Sequence, residues 1–326
     1  DAKWGVNSRA IKNYDVMTSP KNYIETAYQA IYNSQISQGL SPEAANIKAN
    51  SILPTKASGG LGYNIYTTPA GELLIGSNGR LNPNATLGYS DGSYYYTPDN
   101  WADETFQNNL RQEYNINASG GNEKATYYLA FGYLDDQGVI SGSGLTRYNG
   151  RFKGDYKLTQ WLKVGANFSY INSQSRYPAE QDANATASSG NAFFVANNIA
   201  PVYPMYVRDT DKNIMLNNGR KVYDYGDGQS TKNSRSFMSI ANPAGDLTYN
   251  KTEYLMDVIN VNWFAEINPI KGLNVSARFG LNVDNTRYND LGNAYMGQSA
   301  SYGGTAYQAA MRTYGFDQQY VANYQF

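Results

Sequence analysis

The sequence predicts an all-β protein that forms a portion of a large antiparallel transmembrane β-barrel with long extracellular loops, one of which carries a short helical pair. Three observations lead to this prediction. Long stretches alternate between bulky apolar and polar residues, short turns alternate with long connections, and the composition is poor in charge. Charged residues make up 16% of the chain, against about 25% in typical soluble proteins, whereas tyrosine occurs 31 times.

The alternation is clearest at residues 145–157 and 273–284. In the second stretch every odd-numbered residue from Leu273 to Val283 is apolar, and the residues between them are polar or glycine. Only an extended chain places alternate residues on opposite faces, so each stretch predicts a strand. Both stretches exceed the usual soluble strand of about 5–6 residues, whereas crossing a bilayer takes ~9–11 tilted residues. The same pattern recurs at residues 111–119, 125–134, 162–170 and 257–267.

The polar residues of these strands fix which face meets the lipid. A slip of one residue would turn Arg151 and Lys153 toward acyl chains, and each basic residue at the bilayer midplane costs ~2–4 kcal/mol. The polar face is therefore predicted to line a lumen. The predicted lumen-lining residues are Arg151, Lys153, Asp155, Lys163 and Arg278.

The connections between these strands alternate in length. Short turns are predicted at 119–123, 157–160 and 268–272, and long connections at 10–105, 136–144, 173–250 and 288–317. Short turns at one end and long loops at the other are typical of outer-membrane barrels, whose long loops are extracellular.

Two helices are predicted inside the first long connection, over residues 19–53. Ser19-Pro20 and Ser41-Pro42 each combine a helix N-cap residue with a proline at the first helical position. This helical insertion would form a folded cap or docking surface, or would only pack against neighbouring loops. The sequence leaves both interpretations open.

We interpret residues 1–326 as one part of a barrel, from its first strand onward, with seven to eight strands and the last one incomplete. The chain starts in an alternating stretch at Ala2 and ends in another that reaches Phe326. We therefore expect it to be a fragment of a longer polypeptide. Residues 173–250 are predicted as a long extracellular loop.

The residue types that are missing exclude several kinds of chemistry. The chain has no cysteine and no histidine, which excludes Cys or His metal sites, thiol nucleophiles and imidazole-based triads. Its net charge of −1 implies no attraction to nucleic acid. Adjacent carboxylates such as Asp103 and Glu104 would point to opposite sides of a strand, so they would not converge on a substrate. We expect no enzymatic activity and no cofactor.

Residues 209–213, "DTDKN", begin like a calcium-binding loop. Ile214 stands where such a loop requires glycine, and Lys221 stands where it requires glutamate. A polar turn explains these residues better, so no metal site is predicted.

The predicted loops are rich in tyrosine next to Asp and Arg, as in "DGSYYYTPDNW" (91–101) and "APVYPMYVRD" (200–209). Aromatic rings beside such groups suit stacking on sugars, and they equally suit a protein–protein interface. Composition alone does not separate these two functions.

A run of motifs over residues 101–170 resembles the SusC/RagA-like TonB-dependent outer-membrane transporters. In chain order it consists of Trp101 and Asp103 before a strand, the Gly120-Gly121-Asn122 turn, an Asp136-x-Gly138-Val139 loop, an Arg147-Tyr148 strand start and "WLKVGAN". The resemblance implies an N-terminal plug, absent from this chain, and a barrel of about 22 strands. It also implies a location in the bacterial outer membrane.

The same resemblance implies function and partners. A SusD-like surface lipoprotein would cover the barrel as a lid, TonB would supply energy through the absent plug, and the cargo would be an oligosaccharide or a peptide. The predicted contacts to ligand or lid are Tyr95, Trp101, Tyr203, Tyr206, Arg208 and Asp209. Alternatives are a TonB-dependent receptor for another nutrient, a passive porin, and a soluble sugar-binding β-sandwich.

Overall fold

Eight strands form one antiparallel sheet in the computed structural model, which describes residues 1–10, 12, 14–177 and 190–325. Two predicted features lie partly outside the described residues. They are the final alternating stretch, which ends at Phe326, and the loop predicted at 173–250, of which residues 178–189 are not described. The strands are β1 (Ala2–Asn7), β2 (Asn109–Gly121), β3 (Ala125–Gln137), β4 (Gly144–Lys157), β5 (Leu162–Arg176), β6 (Lys251–Ile267), β7 (Leu273–Gly292) and β8 (Thr305–Tyr324).

Each strand pairs with its neighbours in chain order, so the sheet is an up-and-down meander from β1 to β8. Short connections at 122–124, 158–161 and 268–272 alternate with longer ones at 8–108, 138–143, 177–250 and 293–304. All of the longer connections therefore leave the same end of the sheet. The structure confirms the all-β prediction and the large antiparallel sheet.

The predicted long connection at 288–317 is wrong in its bounds. Strand β7 continues to Gly292 and pairs with β8 residue by residue, from Leu273 opposite Tyr324 to Gly292 opposite Thr305. The apolar half of the alternation stops at Val283, but backbone pairing continues through polar residues. Polar residues on both faces carry no alternation signal, which is why the pattern underestimated the strand.

The helices lie in the long connections. They are α1 (Pro20–Ser37), α2 (Pro42–Ile52), α3 (Trp101–Thr105), α4 (Ala192–Asn198) and α5 (Pro243–Tyr249), with 3₁₀ turns at Ala57–Gly59 and Gln298–Tyr302. Helices α1 and α2 are the predicted helical pair. Each begins at its predicted N-cap, since the Ser19 and Ser41 side chains accept hydrogen bonds from the Asn22 and Ala44 amides. Two-residue strands pair Tyr66–Thr67 with Thr86–Leu87, Tyr89–Ser90 with Tyr95–Tyr96 and Leu216–Asn217 with Arg220–Lys221.

Among the described residues, no helix is both long enough and apolar enough to cross a membrane.

The two faces of the sheet differ in chemistry. The outer face carries large exposed apolar side chains, such as Ile116 at 70% and Phe131 at 60% exposure. The inner face carries Asn, Ser and charged residues. In the described part of the chain no second sheet packs over either face, as a β-sandwich would require. The soluble β-sandwich alternative is therefore wrong.

The hydrophobic core lies outside the sheet, in the two longest connections. We call residues 14–108 and 190–250 of these two connections the cap. One core cluster joins α1 and α2 to Tyr63, Tyr96 and Tyr203, and a second joins Trp101 to residues of the later connection. The helical pair thus packs against the other long loop, as one of the two interpretations of the sequence predicts. Its use as a docking surface stays a prediction.

Candidate functional site

The two long connections are joined by hydrogen bonds as well as by apolar packing. The Tyr203 hydroxyl donates to the Leu61 carbonyl at 2.9 Å, and the Trp101 indole N–H donates to the Tyr203 carbonyl at 3.0 Å. The Tyr63 hydroxyl donates to the Asp224 carboxylate at 2.9 Å. These bonds link residues more than a hundred positions apart, so the cap is one folded unit above the sheet.

Three of the predicted contact residues are buried in this unit. Trp101, Tyr203 and Tyr206 are only 3%, 3% and 4% exposed. The Tyr206 hydroxyl donates to the Glu104 carboxylate, and the Lys221 ammonium lies 4.5 Å from the Tyr206 ring centre. Burial raises the pKa of the Tyr203 and Tyr206 hydroxyls well above the ordinary tyrosine value, so both remain protonated donors. In this chain they build the cap, and their rings are not open to a ligand.

Arg208 is held by a largely buried ion pair that the sequence did not predict. Its guanidinium donates two hydrogen bonds to the Asp99 carboxylate, and both side chains are 11% exposed. Asp99 Oδ2 also accepts the Met205 and Tyr206 amides, at 2.7 and 3.3 Å. Such bidentate pairing fixes geometry as well as charge. Asp99 therefore anchors the segment that carries most of the predicted contacts.

Asp209 and Tyr95 lie nearest to solvent among the predicted contacts. Asp209 is half-buried, and its carboxylate accepts the Asn213 amide at 2.9 Å, which forms the polar turn favoured by the sequence. Tyr95 is half-buried and its amide donates to the Arg208 carbonyl at 3.0 Å. The Lys212 ammonium lies 5.2 Å from the Tyr95 ring centre. These three side chains give the cap a small polar and aromatic surface.

The cap buries two groups of opposite charge that attract each other. Asp224 and Arg235 are 2% and 1% exposed. Burial raises the pKa of Asp224 to about 6, although the attraction of Arg235 and the hydrogen bonds from Gly226 and Tyr63 oppose this effect. Burial also lowers the pKa of Arg235. The guanidinium donates to the Ala241 carbonyl and lies over the Trp101 and Tyr203 rings, 5.2 and 5.7 Å from their centres.

Sequence reasoning missed this pair because only the fold brings it together. The one local signal is the sequence "DYGDG" at 224–228, where Gly226 has a φ of +67°. A Cβ at this glycine would lie 1.9 Å from Arg235 Nε, so the close approach of the guanidinium requires glycine. Nearby, the buried Asn242 side chain caps α5 and donates to the Met205 and Asp224 carbonyls.

The five predicted lumen residues lie on the inner face of the sheet. Their cross-strand partners on that face include Ser169, Asn167 and Gly165, whereas the outer face holds residues such as Phe152 and Phe168. The Lys163 ammonium lies 3.0 Å from the Asp155 carboxylate, and Arg151 Nε donates to Asn167 at 3.1 Å. Arg278 lies opposite Phe264 and is exposed on the inner face. The inner face is thus polar, with its charges partly paired.

Comparison with known proteins agrees with this geometry. No family model matches the chain. Two TonB-dependent receptors of Formosa agariphila are similar to this chain. Receptor P3 is 26% identical over 67% of the chain and 20% of its own length. Receptor P26 is 20% identical over 98% of the chain and 30% of its own length. The TonB-dependent receptor SusC of Bacteroides thetaiotaomicron is 24% identical over 54% of the chain and 17% of its own length.

A chain of the solved RagAB peptide transporter superposes on the whole chain with a TM-score of 0.62, at 21% identity and over 32% of its own length. This chain has the fold of a segment of the RagAB barrel, and its sequence is similar to TonB-dependent receptors including SusC. The chain spans about a third or less of the length of the relatives it matches. The prediction that the sheet is part of a large antiparallel β-barrel is confirmed.

Proposed function

We propose that the protein containing this segment imports an oligosaccharide or a peptide across the outer membrane, with energy supplied through TonB and with a SusD-like lipoprotein as lid. The observation that carries the proposal is the union of a barrel wall with a folded cap. The wall matches the RagAB barrel over the full length of this chain. The cap joins two long connections through one buried network.

The folded cap supports a lid better than loose loops would. An ordered surface does not have to lose conformational entropy when a partner docks, so more of the contact energy remains as affinity. Tyr203, Tyr206 and Trp101 would act indirectly, because they are buried and hold the segment that ends in Arg208 and Asp209. The direct contacts that we propose are Asp209 and Tyr95, together with the neighbouring Lys212.

The inner face supports passage of a polar cargo. Its Asn, Ser and partly paired charged residues offer hydrogen bonds in both directions, which suits sugars and peptide backbones alike. A receptor for another nutrient would use the same wall. A passive porin is the second candidate, and it differs in one testable respect, since its uptake would not depend on TonB.

The experiment uses the full-length protein in its own host, with growth on single oligosaccharides and on peptides as the readout. We expect uptake of one of these classes, and we expect deletion of the host's TonB to abolish it. Uptake that persists without TonB would favour the porin. Failure to take up either class, with the protein folded in the outer membrane, would contradict the proposed cargo.

The contact residues are tested by paired variants. Asp209→Ala combined with Lys212→Ala should weaken capture of the lipoprotein or the ligand without loss of barrel assembly. A comparison variant, Asp99→Ala, removes the partner of the buried Arg208 side chain and should therefore destabilise the segment around Arg208 as a whole. If the double variant binds lid and ligand like wild type, these residues do not form the contact surface.

A further inference from the structure

The outer face of strands β5–β8 changes from apolar to charged at one level. Four residues form the last apolar row across these strands: Tyr170, Ile259, Val283 and Tyr314. The next row on the same face, toward the long connections, consists of Asn172, Asp257, Asn285 and Arg312. The boundary therefore runs straight across the sheet and does not belong to one strand.

This boundary lies at the depth of lipid headgroups. The apolar rows extend from Leu273 to Val283, ten residues or ~33 Å along the strand at about 3.3 Å per residue. With a typical barrel tilt of ~40°, this corresponds to roughly 25 Å along the membrane normal, the height of the apolar band of outer-membrane barrels. The charged rows begin where the band ends, on the side of the long extracellular connections.

Four cations occupy the rows above the boundary. Arg287 and Arg312 lie on adjacent strands, one row apart, since Arg287 is opposite Ala310 and Arg312 is opposite Asn285. Arg176 on β5 and Lys251 on β6 lie farther from the apolar band, one and two rows above Arg287, because Arg176 is opposite Glu253 and Lys251 is opposite Leu291. The side chains of Arg176, Lys251 and Arg287 are 54%, 47% and 61% exposed, and Arg312 is exposed as well.

Two carboxylates lie among these cations but are engaged from within the sheet. Glu253 is 3% exposed, and it accepts hydrogen bonds from Gln174 and Asn289 and pairs with Lys251 at 2.8 Å. Asp257 accepts hydrogen bonds from Tyr170 and Asn172, at 2.6 and 2.8 Å, and lies 4.0 Å from Arg287. The surface therefore presents an excess of positive charge to the membrane.

The neighbouring sector of the same sheet has no such excess. At the level of the first charged row, β2–β4 carry Tyr114, Tyr133 and Tyr148, and at the next level they carry Gln112, Asp135 and Thr146. Stacked tyrosines are the usual boundary of a barrel's apolar band. The cations on β5–β8 are thus a local feature, not a general property of this rim.

We propose that phosphate-bearing lipid headgroups of the outer leaflet bind to the outer face of β5–β8, on Arg287 and Arg312, with Arg176 and Lys251 in the rows above them. Charge complementarity and depth point to this occupant, since juxtamembrane cations attract anionic headgroups. The inference depends on the barrel's place in the membrane and is independent of the cargo, so its failure would leave the proposed import untouched.

The test is native mass spectrometry of the full-length protein with phosphatidylglycerol as the anionic probe and phosphatidylcholine as the neutral one. Wild type should retain phosphatidylglycerol with at least roughly fivefold higher apparent affinity, the factor expected of one effective cation. In R287Q/R312Q the ratio of the two apparent affinities should fall to about two or less. The variant with Arg287→Lys and Arg312→Lys keeps both charges and should keep the preference. K48Q/K56Q removes the same charge from the cap and should have no effect.

Two results would overturn the proposal. The first is equal retention of the two lipids by wild type, and the second is an unchanged preference in R287Q/R312Q. If that variant keeps its lipid preference but loses a self-association that wild type shows, the surface would instead belong to a contact with a second copy of the chain. If R287Q/R312Q does not fold, wild type still decides, because high salt should abolish a preference that arises from exposed charges.

Discussion

Neutralising the buried Asp224 carboxylate should remove most of the pH dependence of the cap's stability. The pKa of Asp224 is about 6, against 3.8 for an ordinary aspartate, mainly because burial penalises the charged form. This difference is worth about 3 kcal/mol of folding free energy. Between about pH 4 and pH 6 the unfolded chain releases this proton while the folded cap retains it. The free energy of unfolding should therefore fall by about 3 kcal/mol as pH rises through this window, and stay lower above it.

The variant Asp224→Asn keeps the size of the side chain and removes the titration. An amide oxygen can still accept the Gly226 amide, whose bond to Asp224 is 2.8 Å long, and the amide nitrogen can donate to the Tyr63 hydroxyl. Above pH 6 the variant no longer buries a charge, but Arg235 then loses its compensating carboxylate. The pH dependence is therefore the cleaner readout, because the absolute stability combines these two effects.

Hydrogen exchange in the full-length protein measures this directly. Protection of the peptides that contain residues 61–65 and 224–242 should decline from about pH 4 to pH 6, after correction for intrinsic exchange rates, and Asp224→Asn should flatten that decline. Asp211→Asn, which alters an exposed carboxylate of the same connection, is the control and should follow wild type. An equally steep decline in Asp224→Asn would refute the assignment of the titration to this residue.

Two further predictions concern the wall and the cap. Phe279→Arg places a cation on the outer face near the centre of the apolar band and should lower the barrel's free energy of unfolding by ~2–4 kcal/mol, measured by urea unfolding from lipid vesicles. The control Asn282→Arg places the same cation on the inner face and should lower this free energy far less. Equal losses of stability in the two variants would contradict the assignment of the faces. The cap should unfold at a lower denaturant concentration in Gly226→Ala than in Gly228→Ala. Both glycines have a positive φ, but only a Cβ at position 226 would overlap the Arg235 guanidinium. Equal unfolding midpoints in the two variants would show that the overlap is relieved without cost.

The sheet was predictable because its signal is local. Each spanning strand alternates between apolar and polar residues, so its face and register follow from neighbouring positions, as in the stretch from Leu273 to Val283. The helical pair was predictable for the same reason, since Ser19-Pro20 and Ser41-Pro42 are short capping motifs. The ends of the longest strands were not, because the pattern fades where both faces become polar.

The interior of the cap was not predictable from local patterns. Tyr203 reaches Leu61, and Tyr63 reaches Asp224, across more than a hundred residues. The sequence marks these loops as aromatic, but it does not tell whether an aromatic ring faces a ligand or a core. The structure assigns Trp101, Tyr203 and Tyr206 to the core, and leaves Asp209 and Tyr95 as the contacts to be tested.

Lipid contact along the outer face of β7 is the central claim, and spin-label accessibility tests it most directly. The chain contains no cysteine, so single cysteines can be placed and labelled at each position from 275 to 283. In lipid vesicles the odd-numbered positions should be accessible to oxygen and the even-numbered ones to a water-soluble nickel chelate, with a period of two. Odd-numbered positions shielded from both reagents, as beneath a second layer of protein, would contradict the barrel and the import function built on it.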